Sequence, residues 1–403
     1  MSIIHRVRLA LVLGSLSGFG ALTIDMYLPA MPGMARDLHA SPSVVQLSLI
    51  VFVIGLALGQ VLIGPLSDTW GRRRPLIVGL SLYVAGSVCC VLAPTGGWLI
   101  GARALQSLGA AAGTVLARAI VRDPFQGPAM TRFLSVAMLV TGLAPILAPV
   151  VGGQVLRFTS WRGIFIVLAA IGAVLLVTVL VTQRESLPPE RRRPAHIPGT
   201  LRAMAALATD RSYLRYVLAA ALMFAAVFAY ISGSSFNLQN VYGLTAQQFS
   251  LVFAANGLGI VLLAQVNGFL IGRGREAETL LRSALVIAVV AASGVFACTA
   301  TSAPLPLLLI CLFVVVSMLG PVLPDATTLP MGPHAATAGA ASSLQGLLQF
   351  LIGAAAASAM GVAGPGSPIA MGVTMLVCAV AALAVLLLLR TTIAEQRGVE
   401  AGR

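Results

Sequence analysis

The chain has 403 residues, of which 58% are hydrophobic and only 9% are charged, whereas soluble globular proteins carry about a quarter charged residues. This composition excludes an ordinary water-soluble protein and indicates that most of the surface faces lipid. The formal net charge is +13 and every basic residue is an arginine; because no soluble region is predicted to carry this charge, we expect no nucleic-acid partner.

Apolar stretches predict twelve transmembrane helices. Each stretch has about 20 residues, the length that crosses a roughly 30 Å hydrocarbon core as a helix, and short polar segments separate them. The predicted helices of the first half are 9–30, 43–65, 76–93, 98–120, 132–156 and 160–182. Those of the second half are 212–235, 247–270, 280–302, 304–324, 338–362 and 366–390.

A long polar connection divides the chain into two halves. We predict an N-terminal six-helix bundle at residues 1–182, a cytoplasmic linker at 183–211, and a C-terminal six-helix bundle with a short cytoplasmic tail at 212–403. With the N-terminus inside the cell, the inner loops and tails hold 21 of the 25 arginines, the outer side holds three, and Arg103 lies within a helix. Arginine accumulates on the cytoplasmic side of membrane proteins, so both termini are predicted to be cytoplasmic.

Helix 1 carries Asp25, the only acidic residue well inside a predicted helix, since Asp325 lies at the inner end of helix 10. Asp25 and Arg103 each lie about five residues, at 1.5 Å per residue, from the outer ends of their helices, so their depths match. If both face an internal cavity, the arginine favours the ionised aspartate whereas burial favours the protonated form. This balance suits Asp25 for carrying a proton. A purely structural salt bridge is the alternative.

Residues 64–74, between helices 2 and 3, combine two glycines, Asp68 and three consecutive arginines. A tight turn at glycine brings the two helices together, and the aspartate can then meet an arginine or the positive N-terminus of a helix. An ordinary cytoplasmic loop explains the arginines but not the spacing of glycine and aspartate. The second half has Gly272 at the corresponding place, so we expect a weaker or different contact there.

Helix 4 places Arg103 ahead of Gln106 and a run of small residues. An arginine inside a bilayer costs at least ~2.5 kcal/mol and normally faces a wet interior or a partner. The alternative is that this long side chain reaches the membrane interface.

Helix 5 concentrates glycine and proline. These residues kink a helix and let a neighbouring backbone approach closely, although a flexible packed helix without a special role is the alternative. The residues concerned are Gly142, Pro145, Pro149, Gly152 and Gly153.

Polar and aromatic residues within the helices are candidates for a substrate cavity, because apolar and aromatic walls with a few amides suit amphiphilic compounds. The same residues can equally serve helix packing. The candidates are Tyr27, Gln106, Phe224, Phe228, Asn256, Gln345 and Gln349. His334 precedes helix 11, and we expect it to contact the loop or a neighbouring helix end, with a proton relay as the alternative.

The sequence contains no pattern that indicates a metal site or a nucleotide-binding loop. The five cysteines lie in apolar runs without metal-ligand spacing, so no metal is expected. A phosphate-binding loop of the Gly-x-x-x-x-Gly-Lys type is missing from the sequence, which excludes ATP as the energy source within this chain. One intramembrane acid also contrasts with the clustered acids and histidines of membrane enzymes, so an enzyme is not expected.

Several of these patterns resemble one family. The run Gly64-x-Leu66-x-Asp68-x-x-Gly71-Arg72-Arg73-Arg74 is similar to the signature loop of the major facilitator superfamily, whose architecture consists of two parallel six-helix repeats. The helix 4 run resembles the second motif of that family, and the helix 5 run resembles the motif of its antiporters. Segments around Asp25, Arg118 to Asp123, and His334 resemble the bicyclomycin and chloramphenicol resistance (Bcr/CflA) branch of drug:proton antiporters.

The resemblance implies a role for each motif. Asp68, Arg72 and Asp123 are expected to form a cytoplasmic gate, Asp25 and Arg103 to couple transport to protons, and the helix 5 motif to mark export. The implied protein is a monomer in the bacterial cytoplasmic membrane. It exports small amphiphilic drugs, such as chloramphenicol- or bicyclomycin-like antibiotics, and uses the proton gradient without a cofactor. A facilitator or importer of a small metabolite on the same fold is the alternative.

Overall fold

The computed structural model describes residues 3–122, 128–183, 185–188, 190, 192, 197–330, 338–362 and 367–389. The regular structure of these residues is helical, without β-strands. The helices of the first half are α1 (Ile3–Asp25), α2 (Met31–Asp37), α3 (Pro42–Trp70), α4 (Arg73–Val91), α5 (Gly96–Arg122), α6 (Pro128–Phe158) and α7 (Trp161–Thr182).

The remaining helices begin in the predicted linker. They are α8 (Ile197–Leu207), α9 (Arg211–Phe236), α10 (Ala246–Gly272), α11 (Ala277–Ala300), α12 (Leu305–Ser317), α13 (Leu319–Thr328), α14 (Ala338–Val362) and α15 (Pro368–Leu388). The predicted linker thus contains a short helix, α8.

The helices have the length and surface of membrane spans. In the described chain ten spans are long and apolar enough to cross a membrane, with α12 and α13 together forming one of them. Helices α1 and α6 correspond to the other two predicted spans. Large apolar side chains face outward, as expected next to lipid; Phe158 is 85% exposed and Leu388 is 82% exposed. The predicted all-α membrane fold is confirmed.

The end of helix 1 differs from the prediction. A continuous helix was predicted to residue 30, but α1 ends at Asp25 and is followed by a 3-10 turn at Leu28–Ala30 and then by α2. Pro29 and Pro32 explain the change, because proline has no N–H to donate to the preceding helical turn. Asp25 therefore lies at the end of an α-helix rather than within one.

Helix 10 also differs from the prediction. The predicted span 304–324 is split between α12 and α13, with a break at Met318, and it continues to Thr328. Pro321 and Pro324 remove two backbone donors from this segment, which accounts for a helix with a break. Asp325 consequently lies inside α13, three residues before its end.

Two compact units make up the chain. The first comprises Met1–Ile197, Ile231–Leu258 and Ala357–Ser367. Within it α5 packs against α3 and α4, and α1 packs against α6. Close approach depends on glycine, since a Cβ on Gly109 of α5 would lie 2.5 Å from the backbone nitrogen of Tyr83. This packing directs the polar side chains of α5 into the interior of the unit.

The second unit comprises Pro198–Tyr230, Gly259–Ala356 and Pro368–Arg403. In it α11 packs against α15, α12 and α13. Small side chains of α9, α14 and α15 form a buried cluster of Ala225, Ala226, Ala356 and Cys378. The predicted division into residues 1–182 and 212–403 stays a prediction.

Candidate functional site

Arg103 lies in the interior of the first unit. Its side chain is completely buried, and its guanidinium carbon lies 4.4 Å from the ring centre of Tyr27, 4.1 Å from that of Phe52 and 5.9 Å from that of Phe165. A cation over desolvated aromatic rings is stabilised by the negative face of each ring. The arginine therefore points into the protein, which favours the interpretation of a functional interior residue over that of a side chain reaching the interface.

Hydrogen bonds connect Arg103 of α5 to α1 directly and to α4 through Gln106. Its Nη1 donates to Oε1 of Gln106 at 2.7 Å and to the carbonyl of Thr23 at 3.5 Å. Gln106 in turn donates to Oγ of Ser87 at 2.8 Å, and the hydroxyl of Thr23 pairs with that of Tyr83 at 2.7 Å. Each of these partners is uncharged, so the hydrogen bonds of Arg103 include no counter-ion.

Two donors of Arg103 remain unused. Its Nε and Nη2 have no hydrogen-bond partner among the described residues, although both are buried. An unpaired buried donor carries a desolvation cost, and it is ready to bind a carboxylate or another acceptor that comes within reach.

Asp25, at the end of α1, is not paired with this arginine. The carboxyl is 5% exposed, and in the described part of the chain it forms no ion pair and no hydrogen bond. Instead, Arg103 donates a hydrogen bond to the carbonyl of Thr23, which precedes Asp25 by two residues. The predicted charge network is therefore not formed in this conformation, because the guanidinium is held by Gln106 and the aromatic rings.

The helix 5 motif packs directly beside Asp25. A Cβ on Gly152 would collide with the carbonyl oxygen of Met26, the residue after Asp25. A Cβ on Gly153 would collide with Oγ of Ser250 on α10, and the carbonyl of Gly153 accepts a hydrogen bond of 3.0 Å from Nε2 of Gln247. The two glycines thus let α6 approach α1 on one side and α10 on the other.

The other members of this motif occupy the same helix, α6. Pro149 is buried, and Gly142 and Pro145 are partly buried. Near them, a Cβ on Gly257 of α10 would lie 3.1 Å from the side chain of Ile146. The motif therefore lines the contact between α6 and α10.

Four neutral hydrogen bonds join the predicted extracellular ends of helices in the first unit; we call them the outer contact. Gln46 donates to the carbonyl of Ser232 at 3.2 Å and Gln239 to that of Pro29 at 3.1 Å. The other two run from Ser235 to the carbonyl of Leu28 at 2.5 Å and from Gln247 to that of Gly153. Residues 231–258 are thereby tied to the first half of the sequence.

The predicted cytoplasmic gate contains the expected pair. Nη2 of Arg72 lies 2.6 Å from Oδ1 of Asp68, and Nη1 of the same arginine donates to Oγ of Ser67. Arg72 is 4% exposed, so this is a largely buried arginine. The predicted third member, Asp123, lies outside the described residues, as does His334.

Glu185 is a member of this gate that the sequence analysis missed. Its carboxylate accepts the backbone N–H of Arg72 at 2.7 Å and that of Arg73 at 3.2 Å, and thus caps the N-terminus of α4. The N–H of Leu187 donates to the same carboxylate at 3.1 Å. Gly71 has a φ of +85°, a backbone conformation that favours glycine, and a Cβ there would also meet the carboxylate of Glu185.

These hydrogen bonds change the acidity of Glu185. Partial burial raises the pKa of its carboxyl, but the hydrogen bonds from the backbone N–H groups of Arg72, Leu187 and Arg73 outweigh this, and the pKa lies below its usual value. Glu185 is therefore ionised at neutral pH and holds the segment after α7 against the loop at residues 64–74.

A second charged group lies at the predicted extracellular end. Oδ2 of Asp37 accepts hydrogen bonds from Nε1 of Trp161 at 2.9 Å and from Arg162 at 2.7 Å. The bonds from Trp161 and Arg162 hold the pKa of Asp37 below its usual value. Asp37 and Arg162 are partly exposed whereas Trp161 is buried, so the cluster is a contact at the protein surface that connects α2 to α7.

The candidate cavity residues fall in both units. Phe224 and Phe228 stack with ring centres 5.8 Å apart, and Phe350 meets Phe224 edge-on at 5.7 Å. Gln345 donates to Oγ1 of Thr327 at 2.7 Å, so this amide serves helix packing. Gln349, in the same unit, is partly buried. Tyr27, Gln106 and the buried Asn256 belong to the first unit.

Comparison with known proteins identifies relatives over most of the chain. Residues 13–358 match the model of the Major Facilitator Superfamily. The chain is 40% identical over 381 residues to the uncharacterized MFS-type transporter YdgK of Bacillus subtilis, covering 93% of this chain and 94% of that protein. It is 31% identical over 277 residues to the bicyclomycin resistance protein homolog of Haemophilus influenzae, covering 69% of each.

A solved structure shows the same fold. A bacterial homolog of the human lysosomal transporter Spinster, in an inward-facing and occupied conformation, has a TM-score of 0.75 at 17% identity. The match covers 96% of this chain and 97% of that chain. Together with the helical architecture and the loop at residues 64–74, these matches show that the chain belongs to the major facilitator superfamily of membrane transporters.

Proposed function

We propose that this protein exports small amphiphilic drugs from the cytoplasm in exchange for protons. The observation that carries the proposal is the packing at the end of α1. A buried acid without a counter-ion among the described residues, Asp25, adjoins Met26, whose carbonyl contacts Gly152 of the antiporter-like motif. The relative named as a bicyclomycin resistance protein homolog supports a drug as the substrate.

Proton binding follows from the surroundings of Asp25. A buried carboxylate without a partner is costly, so in this conformation the protonated carboxyl is favoured. Arg103, with two unused donors, supplies a counter-ion when Asp25 loses its proton and the local packing changes. The same pair therefore favours a neutral aspartate in one arrangement and an ionised aspartate in another, as proton coupling requires.

Aromatic residues of α9 and α14 suit an amphiphilic substrate. Phe224, Phe228 and Phe350 offer adjoining ring faces and edges, and such walls bind compounds with apolar bodies. Charged side chains are missing from the described parts of α9 beyond Arg215 and from α14. A neutral or weakly basic drug is accordingly the class that we propose.

The outer contact supports transport by alternating access. Its hydrogen bonds join the predicted extracellular ends of α1, α3 and α6 to residues 231–258. Release of a drug to the outside requires these bonds to break, and each neutral bond contributes only about 1 kcal/mol net. Glu185 and Arg72 lie at the opposite, predicted cytoplasmic end, where the gate closes in the outward-open state.

The test is uptake of chloramphenicol or a fluorescent amphiphilic dye into inside-out vesicles, with and without an imposed proton gradient. We expect accumulation that depends on the gradient, collapses with a protonophore and is lost in Asp25→Asn. The matched control is Glu190→Gln, which neutralises an exposed acid of the linker and should leave uptake unchanged.

Transport that ignores the gradient in the wild type contradicts antiport and favours a facilitator of a small metabolite. Gradient-driven uptake that survives Asp25→Asn keeps antiport but removes Asp25 as the proton carrier.

We also infer that the protein acts as a monomer in the bacterial cytoplasmic membrane with both termini in the cytoplasm. The arginine distribution supports this orientation. Reporter fusions at the two termini test it, since an alkaline phosphatase fusion is active only outside the cytoplasm and should be silent at both ends.

A further inference from the structure

A second buried acid lies in α13, in the second unit. Asp325 is 1% exposed. Its Oδ1 accepts a hydrogen bond of 2.7 Å from Nδ2 of Asn267 on α10. Its Oδ2 is buried without a hydrogen-bond partner in the described chain. One half of this carboxyl is therefore held by an amide, and the other half is unsatisfied.

Close backbone packing brings the two residues together. A Cβ on Gly320 of α13 would collide with the carbonyl oxygen of Ile260 on α10 and would lie 2.9 Å from the backbone nitrogen of Ala264. Gly259 of α10 meets the side chain of Ser317 in the same way. Two glycines thus place α10 against the broken helix α12–α13, and Asn267 reaches Asp325 a few residues further along this contact.

The helix around Asp325 is anchored at its backbone. Pro324 precedes the acid, and the carbonyls of Leu323 and Pro324 accept hydrogen bonds from Thr327 at 2.7 Å and Thr328 at 3.0 Å. Gln345 of α14 binds Thr327 as well. Asp325 therefore lies in a hydrogen-bonded helical turn that is connected to α14, and Asn267 of α10 binds its carboxyl.

The charged groups on the helices around this site do not pair with Asp325. The described residues of α10, α12, α14 and α15 include no charged side chain. On α11, Glu278 pairs with Arg215 of α9 and Arg282 is exposed. Arg211, at the start of α9, is exposed as well. No cation of the described chain forms an ion pair with Asp325.

We propose that Asp325 is a second proton-binding site of this transporter, positioned by Asn267. A carboxylate that is buried with one amide donor and no counter-charge favours its neutral, protonated form, because an unpaired charge in an apolar interior is far more costly than an unpaired hydroxyl. An intramembrane acid of this kind is by default a functional group. The role in coupling rests on the antiport proposed above, whereas proton binding itself does not.

Infrared spectroscopy of the purified full-length protein in lipid tests proton binding directly. The carbonyl stretch of protonated carboxyl groups is recorded across pH for the wild type, Asp25→Asn, Asp325→Asn and the double variant. Ordinary carboxyl groups are already ionised above about pH 6, so the intensity that still titrates there belongs to buried acids. We expect Asp325→Asn to remove roughly half of this intensity, since two intramembrane acids share it, and the double variant to remove the rest. Asn267→Leu should shift the frequency of the Asp325 band without removing it.

Two further variants are controls for the infrared titration. Asp325→Glu retains a carboxyl and should retain a titrating band, which separates loss of the acid from misfolding. Glu278→Gln changes an acid of the Arg215 pair and should leave the titrating band unchanged. An unchanged band in Asp325→Asn overturns the proposal.

Proton counting in vesicles tests the role in coupling. Asp325→Asn should move fewer protons per drug molecule than the wild type while still requiring the gradient. An unchanged proton ratio overturns the coupling role. A wild type that ignores the gradient defeats the proposed antiport instead, and the infrared result for Asp325 stands apart from that outcome.

Discussion

Arg72 and Arg103 are both buried arginines, but their environments differ. Arg72, 4% exposed, lies at the predicted cytoplasmic end, where it pairs with Asp68 beside the carboxylate of Glu185. Arg103, completely buried, is held by aromatic rings and neutral amide and carbonyl groups. Near the polar end of a helix, an ion pair with a carboxylate has a small desolvation cost. Deep in the interior, neutral partners of Arg103 leave Asp25, a buried acid of the same unit, available for protons.

Exchanging arginine for lysine should separate the two environments most strongly. Lysine retains the charge but loses the planar guanidinium that stacks between rings. We expect Arg103→Lys to lower transport by about tenfold or more, since a desolvated cation–π interaction contributes about 2 kcal/mol. Arg72→Lys keeps a charge that can pair with Asp68, and it should lose much less. Initial rates of uptake in vesicles measure both, and equal losses would contradict the distinction.

A change in α6 should disturb the Arg103 environment and spare that of Arg72. Gly152→Ala places a methyl group against the carbonyl of Met26, and overpacking of this kind typically costs 1–3 kcal/mol. We expect a lower melting temperature and slower transport. Gly101→Ala is the matched control, because a Cβ there meets open space. If both variants behave alike, the close approach of α6 to α1 is not important.

Removing the carboxylate beside Arg72 should produce a pH-dependent loss of stability. Hydrogen bonds that cap the N-terminus of α4 are worth about 1 kcal/mol, and Glu185→Gln weakens them. Because the pKa of Glu185 is lower in the folded protein, its contribution is complete above the unfolded pKa of about 4.3 and is lost as the pH falls through the folded pKa. The variant should therefore melt earlier than the wild type at neutral pH, and the difference should shrink in acid.

Melting temperatures recorded between about pH 7 and pH 3 measure this effect, since that range brackets ordinary carboxyl titration. Glu190→Gln, at an exposed position of the same linker, is the control and should leave the profile unchanged. A difference between Glu185→Gln and the wild type that is constant with pH would show that the charge of Glu185 does not contribute.

The smallest effect is expected at a third, exposed arginine. The side chain of Arg162 is 36% exposed and pairs with Asp37, and exposed pairs contribute at most about 1 kcal/mol. Asp37→Asn should lower the melting temperature slightly, mainly through the weaker bond to Trp161, and should leave proton coupling intact. Loss of gradient-dependent uptake in this variant would show that the extracellular end takes part in coupling.

Much of the fold follows from the sequence because membrane spans are local features. Apolar length predicts where a helix crosses, and arginine inside a span marks Arg103 as an interior residue. Prolines 29 and 321 also show where an α-helix has to end or break, although the predicted spans overlooked both. Span length, an arginine within a span and a helix-breaking proline each depend only on residues that are close together in the chain.

The partners of each functional residue require the tertiary structure. The rings around Arg103 come from residues 27, 52 and 165, and single aromatic residues in apolar helices give no signal of their mutual distance. Glu185 reaches Arg72 across 113 residues. Its nearest sequence signal was an acid just past the end of a helix, beside a glycine-containing loop whose N–H groups needed an acceptor.

The outer contact has one further consequence, which concerns the solvent. In all four of its bonds a neutral side chain donates to a backbone carbonyl. Dissolved ions screen charges strongly but act weakly on neutral dipoles. Opening of this end should therefore proceed equally well in dilute and in salty surroundings, which suits a bacterial surface whose external ionic strength is not under the control of the cell.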